Sequence, residues 1–374
     1  MKPCPHRPPC GGCPRFGERG IDPEARTALA ALARACAVPG PSIVSGTAGG
    51  FRHRARLAIR GRVHSPKLGL FEPGTHRVVH IPRCEVQHPL INRVASVVRR
   101  ALVETRIASY SERAQLGLAR HLQVVVERES QRAQVVLVAN APGADVFTAC
   151  FERIRERLGD ELHSLWFNAN TSTGNTILGP EFERWCGPDA VIEHFGEAAI
   201  HYPPGAFGQS NLDIAASIIE HVRARIPPGA RVAEFYAGVG AIGLSVLSRV
   251  SRIVMNEFSV HSLRGLHCGV AALDAVDRAK VAIAPGTAAD ARAVLLDADL
   301  VIADPPRKGL DPPLIEQLNA HPPARFLYIS CGLESFLRDA SCLLEGAFRL
   351  TELTAFNLLP FTQHLETFAC FERR

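Results

Sequence analysis

The sequence predicts an α/β protein in which a doubly wound, Rossmann-like domain follows a mixed α/β domain. Three observations carry this expectation. From Arg231 onward, short apolar runs alternate with helical stretches, the pattern of a parallel sheet wrapped by helices. A Gly-x-Gly turn, Gly238 to Gly240, follows the first of those runs. Positive charge concentrates in residues 1–100, where seventeen Lys or Arg face five Asp or Glu although the whole chain carries only +5, so the remainder is acidic. A length of 374 residues suits two units, which we place at 1–200 and 201–374.

Taken in order, residues 1–20 are rich in Pro, Gly and Cys and should be irregular, and Pro23 to Ala37 has the apolar spacing of an amphipathic helix. FRHRARLAIRG at 51–61 alternates basic and apolar side chains, which predicts a strand with one cationic face. Further strands are expected at Gln123 to Val126 and Gln134 to Val138, and a helix from Asp145 to Leu158. In the second half the strand-like runs are RVAEFYA, RIVMNEF, KVAIAP, LVIADPP, FLYIS, RLTELTAF and ETFACFE, with a helical segment expected from Ala241. The composition, 47% hydrophobic and 21% charged, excludes a disordered or fibrous chain. No apolar run has the length of a membrane span and no apolar segment follows Met1, so the expectation is a cytoplasmic, monomeric protein away from membranes. A basic module joined to an acidic one points to a partner rich in phosphate.

In doubly wound sheets ligands bind beyond the carboxyl ends of the strands. The first run ends in Glu234 and continues Tyr236, Gly238, Gly240, and the second ends in Glu257, an acidic residue about 20 positions after the turn and suited to ribose hydroxyls. This pairing serves either a nicotinamide dinucleotide or S-adenosylmethionine, and Gly243, which supplies a formal third glycine, does not decide between them. After the fourth run comes Asp304-Pro305-Pro306-Arg307-Lys308-Gly309, and after the fifth Ser330-Cys331-Gly332. Glu366 opens the last. A cysteine, an aspartate and a glutamate thus converge on one rim. Cys4, Cys10 and Cys13, spaced Cys-x5-Cys-x2-Cys, stand far from Cys84, and four such thiolates can hold a 4Fe-4S cluster or a tetrahedral zinc.

FGQSN at 207–211, EFYAGVG at 234–240, DPPRKGL at 304–310, SCGLESFLRD at 330–339 and LPFTQHLE at 359–366, in this order and spacing, resemble the RNA uracil-5 methyltransferases. With CPHRPPCGGC near the start and IPRCEVQHPLIN at 81–92, the chain resembles the branch of that family that carries an iron-sulfur cluster, nearest to 23S rRNA enzymes without an N-terminal RNA-binding barrel. The resemblance implies methyl transfer from S-adenosylmethionine to carbon 5 of a uridine in RNA, with 23S rRNA favoured over tRNA. Cys331 is then the nucleophile and Glu366 the base. Asp304 reads the uracil edge and borders the cofactor, Phe207 stacks on the base, and Gln209, Tyr236, Gly238, Gly240 and Glu257 bind the cofactor. Cys4, Cys10, Cys13 and Cys84 become ligands of a 4Fe-4S cluster. The chain departs from the usual pattern at Ala237, Ala241 and Thr287. A non-catalytic RNA-binding assembly protein is the competing class.

Overall fold

A computed structural model describes residues 3–374. In chain order the strands are β1 (Ser42–Ser45), β2 (Arg54–Arg62), β3 (Ser65–Phe71), β4 (Val78–His80), β5 (Ala119–Val126), β6 (Ala133–Ala139), β7 (Leu162–Ala169), β8 (Glu181–Cys186), β9 (Val191–Phe195), β10 (Ala198–Tyr202), β11 (Ala230–Phe235), β12 (Val250–Glu257), β13 (Val281–Pro285), β14 (Leu300–Ala303), β15 (Arg325–Ser330), β16 (Phe348–Asn357) and β17 (Glu366–Arg373). The α-helices are α1 (Pro23–Ala35), α2 (Pro89–Glu104), α3 (Thr148–Leu158), α4 (Leu212–Arg223), α5 (Val260–Ala272), α6 (Ala275–Lys280), α7 (Ala288–Ala291), α8 (Pro312–Ala320) and α9 (Leu333–Glu345). None of the described helices is long and apolar enough to cross a membrane. The chain divides into two compact units, one of residues 1–14, 47–193 and 203–212, the other of 15–46, 194–202 and 213–374.

The first unit is built on a seven-stranded sheet of order β4-β3-β2-β5-β6-β7-β8, antiparallel except where β6 and β7, joined through α3, run parallel. Period-two alternation explains β2: Leu57 and Ile59 enter the core under α2 and α3, and Arg54, Arg56 and Arg60 take the other face. Several of those cations are held internally. Arg54 donates to the Ala206 carbonyl (3.0 Å), Arg56 to Gln123 Oε1 (2.8 Å), and Arg60 pairs with Glu112. Helix α2 begins with Pro89 in its first turn, which needs no amide there, and buries Ile91, Val94, Val98, Ala101 and Leu102 at helical spacing.

The cysteines of this unit require a correction. Among the described residues no three His, Cys, Asp or Glu side chains stand together so as to hold a metal ion, so the expected 4Fe-4S site at Cys4, Cys10, Cys13 and Cys84 is not formed. Cys10 and Cys84 pack against the sheet core as small apolar groups. Burial first, then the neighbouring thiols of Cys84, Cys10 and Cys4, push the Cys13 thiol up to about 11 despite the lowering effect of Arg52, and burial raises Cys84 too.

In the second unit an eight-stranded sheet runs β1-β16-β17-β15-β14-β11-β12-β13, parallel except for β17, which is antiparallel to both neighbours. Its order reverses between β11 and β14, the crevice where a doubly wound sheet opens a ligand site. Strands β14 and β15 are buried on both faces, which is why each reads as a continuous apolar run. Phe326, Tyr328, Phe336, Phe348 and Phe371 interleave in the core, joined by Leu29 and Ala33 of α1. The helix expected after the glycine turn is a 3-10 segment, Leu244–Arg249. Ser245 Oγ donates to the Ala241 carbonyl (2.7 Å), so the Ser245 amide turns to Ile242 instead, and the tighter winding follows.

Candidate active site

The second unit gathers seven of the expected residues at the carboxyl rim of its sheet. Parallel pairing sets Phe235 beside Ala303, so the turn after β11 and the Asp304 loop after β14 leave the sheet side by side. Antiparallel pairing sets Ser330 opposite Thr367. One step further along the same register stand Cys331, at the end of β15, and Glu366, at the start of β17. An antiparallel final strand is what brings a residue from its first position to the rim where the other strands end.

Cys331 lies between β15 and the Gly332 cap of α9, half-buried, and Glu366 is buried. Burial pushes the Cys331 thiol up to about 12, with Glu366 and then Asp304 adding to the rise and Arg307 opposing it. Both carboxylates therefore lie near enough to the sulfur to act on its charge. The amino-terminal end of a 13-residue helix works in the same direction as Arg307, toward the thiolate. Burial also pushes Asp304 up to about 7 and Glu234, in the adjacent strand, up to about 8. Two buried carboxyls facing one another do not readily ionise together, and the pair keeps a proton near neutrality.

The glycine turn has separate reasons for each glycine. Gly238 sits at φ +60 and a Cβ there would meet nothing within 4 Å, so its surface is open to a ligand. Gly243 has the opposite surroundings: a Cβ would stand 2.2 Å from Glu234 Oε2 and 2.5 Å from the Met255 sulfur. Its function is to make room for a buried carboxyl, which is why it gave no information on the ligand. Glu257 accepts from the Gly238 amide through Oε2 (2.7 Å) and from the Phe258 and Ser259 amides through Oε1 (2.9 and 2.7 Å). A carboxylate offers about four lone-pair directions, so room remains for a ribose hydroxyl. Tyr236, at φ +59, receives the Asp311 amide on its hydroxyl (3.0 Å) and donates to Asp311 Oδ2 (3.2 Å), joining the glycine turn to the loop after β14. These residues fit S-adenosylmethionine: an open glycine turn, a carboxylate anchored at the end of β12, and the exposed ring of Phe258 beside it.

Phe207 and Gln209 belong to the first unit, in the loop after β10, where the Phe207 ring is 65% exposed and open to a flat ligand. Thr287 caps α7 and donates to Asp290 Oδ2 (2.6 Å). Reading the sequence missed Asp339. It is fully buried in α9, and its only sequence signal is its place at the end of SCGLESFLRD.

A doubly wound sheet with this rim defines a class I S-adenosylmethionine-dependent methyltransferase. Comparison with known proteins specifies it further. The chain is 34% identical over 378 residues to an RNA methyltransferase of Protochlamydia amoebophila, covering 99% of this chain and 97% of that one. An RNA methyltransferase of Gloeobacter violaceus is 26% identical over 384 residues, 99% of this chain and 82% of that one. A family model described as tRNA (Uracil-5-)-methyltransferase matches residues 289–374, the segment with Asp304, Cys331 and Glu366. The fold is that of the Pyrococcus abyssi tRNA (uracil-54, C5)-methyltransferase solved with S-adenosyl-L-homocysteine, at a TM-score of 0.79 and 22% identity over 97% of this chain and 86% of that one. The chain belongs to this family of S-adenosylmethionine-dependent RNA methyltransferases. The expected kinship with 23S rRNA enzymes is corrected: where these matches name an RNA, it is tRNA.

Proposed function

We propose that the chain methylates a uridine of transfer RNA through a covalent bond between Cys331 and the base. The observation that carries the mechanism is the Cys331 thiol on its strand-to-helix turn, with Glu366 and Asp304 close enough to raise it. The descriptions of the matching family and of the Pyrococcus structure support tRNA as substrate.

Carbon 5 of uracil is a weak nucleophile. Addition of the Cys331 thiolate to carbon 6 moves the ring's double-bond electrons onto carbon 5 and the carbonyl as an enolate, and one hard step becomes two easier ones. S-adenosylmethionine, when bound, supplies an electrophilic methyl on a sulfonium. Carbon 5 takes that methyl, Glu366 then removes the carbon 5 proton, the ring double bond re-forms, and the Cys331 sulfur leaves. Burial raises Asp304 to about 7, and when the proton that it shares with Glu234 rests on it, Asp304 can donate to a uracil carbonyl. Tyr236, Gly238, Gly240 and Glu257 hold the cofactor. The cationic face of β2 grips phosphates. Incubating the protein with tritium-labelled cofactor and, in parallel, a uridine-containing tRNA transcript and ribosomal RNA tests this. Label at carbon 5 of one uridine is the expected result, and label only in ribosomal RNA would overturn the assignment of substrate.

A further inference from the structure

Residues 307–310, between Asp304 and α8, make no regular structure, yet three of their polar backbone groups are taken by side chains of α9. Ser335 Oγ donates to the Arg307 carbonyl (2.9 Å), and Arg338 donates to the Lys308 carbonyl (2.7 Å). Asp339 Oδ2 accepts from the Leu310 amide (2.8 Å) and from the Tyr328 hydroxyl (2.7 Å), and its Oδ1 accepts from Arg338 (2.7 Å). The approach is close enough to require glycine on both sides. A Cβ on Gly309, at φ +86, would stand 2.3 Å from Asp339 Oδ2, and one on Gly332 would stand 2.7 Å from the Arg307 carbonyl. Buried Asp339 is therefore satisfied by a loop amide and by a strand hydroxyl on β15, the strand that ends at Cys331.

We propose that Asp339 is a positioning residue that clamps residues 307–310 onto α9 and so fixes Asp304 relative to the Cys331 sulfur. The clamp rests on the roles proposed above for Asp304 and Cys331. Neither Asp339 nor Ser335 touches the base. Both act through the loop, because Asp304 and Cys331 sit at the ends of different strands, and α9, which begins just after Cys331, holds the backbone that follows Asp304. A displacement of about 1 Å between two groups acting on one ring is enough to cost about a hundredfold in rate.

The test is a double-mutant cycle on tRNA methylation, run well below the melting temperature of every variant, with folding followed by circular dichroism. Asp339→Asn keeps the size but sets an amide against at least one of its three donors. It should lower kcat by about ten- to a hundredfold with KM for tRNA and cofactor affinity within about twofold. In an Asp304→Asn background it should lower kcat by less than about twofold more, since the group it positions has already been changed. Ser335→Ala, which loosens the loop without touching Asp339, should give a smaller loss that vanishes in the same background, and it carries the test if Asp339→Asn does not fold. Tyr328→Phe, which leaves the loop contacts intact, should keep kcat near normal. Losses that multiply between Asp339 and Asp304, or a kcat unchanged by both loop variants, would overturn the clamp. Persistence of methyl transfer in Cys331→Ala would instead overturn the mechanism on which it rests.

Discussion

Replacing Glu366 by Gln should speed formation of the Cys331 bond to the base and slow its release. The thiol is pushed up to about 12 by burial and then by the charge on Glu366. At pH 8 only about one thiol in ten thousand is therefore ionised, each pH unit changing the fraction about tenfold. One adjacent carboxylate is worth on the order of one pKa unit, so Glu366→Gln should raise the thiolate fraction, and the adduct rate with it, about tenfold at fixed pH. The sign for pH is also fixed. A raised thiol loses its proton only as pH climbs, so between about pH 8 and 9.5, above the titration of Asp304, both proteins should gain about tenfold in rate per unit. The two plots of log rate against pH should be parallel and offset. A tRNA transcript containing 5-fluorouridine, quenched in denaturant and resolved by electrophoresis, measures adduct formation. Methylation of the natural transcript measures release, which should be at least a hundredfold slower in Glu366→Gln if the carboxylate takes the carbon 5 proton. Slower adduct formation in the variant would show that Glu366 activates the thiol, and the assignment of base would be wrong.

Three further outcomes follow from the geometry. Gly240→Ala places a Cβ 2.6 Å from Leu266 at φ +82, and should cost about 1–3 kcal/mol of stability and cofactor affinity besides, as read by thermal unfolding and calorimetric titration. Glu257→Gln turns an acceptor of three backbone amides into a side chain with one donating end. Calorimetry should report cofactor affinity lower by about tenfold or more, and unchanged affinity would mean that Glu257 only supports the turn. Replacing Arg52, Arg54 and Arg56 together by Gln should weaken tRNA binding and flatten its dependence on salt, by about one released counterion for each phosphate no longer neutralised. Because Arg54 and Arg56 already have partners within the protein, a change of slope near one is expected instead of three.

The catalytic sheet was legible because buried parallel strands leave apolar runs with no polar alternation, as in Leu300–Ala303 and Arg325–Ser330, and because Asp304 and Cys331 directly follow those runs. What the sequence did not disclose depends on distant pairing. Ser42–Ser45 joins the catalytic sheet beside Thr354–Asn357, and α1 packs with Phe326 and Phe348, so residues 15–46 lie in the second unit although they precede the basic strand. No local pattern announces a partner 312 residues away. Asp339 was invisible for a related reason: one of three acids in an amphipathic helix, it reads as a solvated residue until the loop that covers it is known. The cysteine spacing misled, since spacing does not reveal whether thiols stand as ligands: among the described residues no group that could hold a metal forms, and Cys10 and Cys84 pack against the sheet core. Helix α2 carried its own signals, Pro89 in the first turn and apolar residues at three- and four-residue steps.

The most direct test of the covalent mechanism is mass spectrometry of the protein after reaction with 5-fluorouridine tRNA and S-adenosylmethionine. The account predicts a nucleotide carrying both fluorine and methyl, attached to the peptide that contains Cys331, with neither adduct nor methylated product from Cys331→Ala. Substantial methyl transfer by Cys331→Ala, or an adduct on any other cysteine, would contradict it.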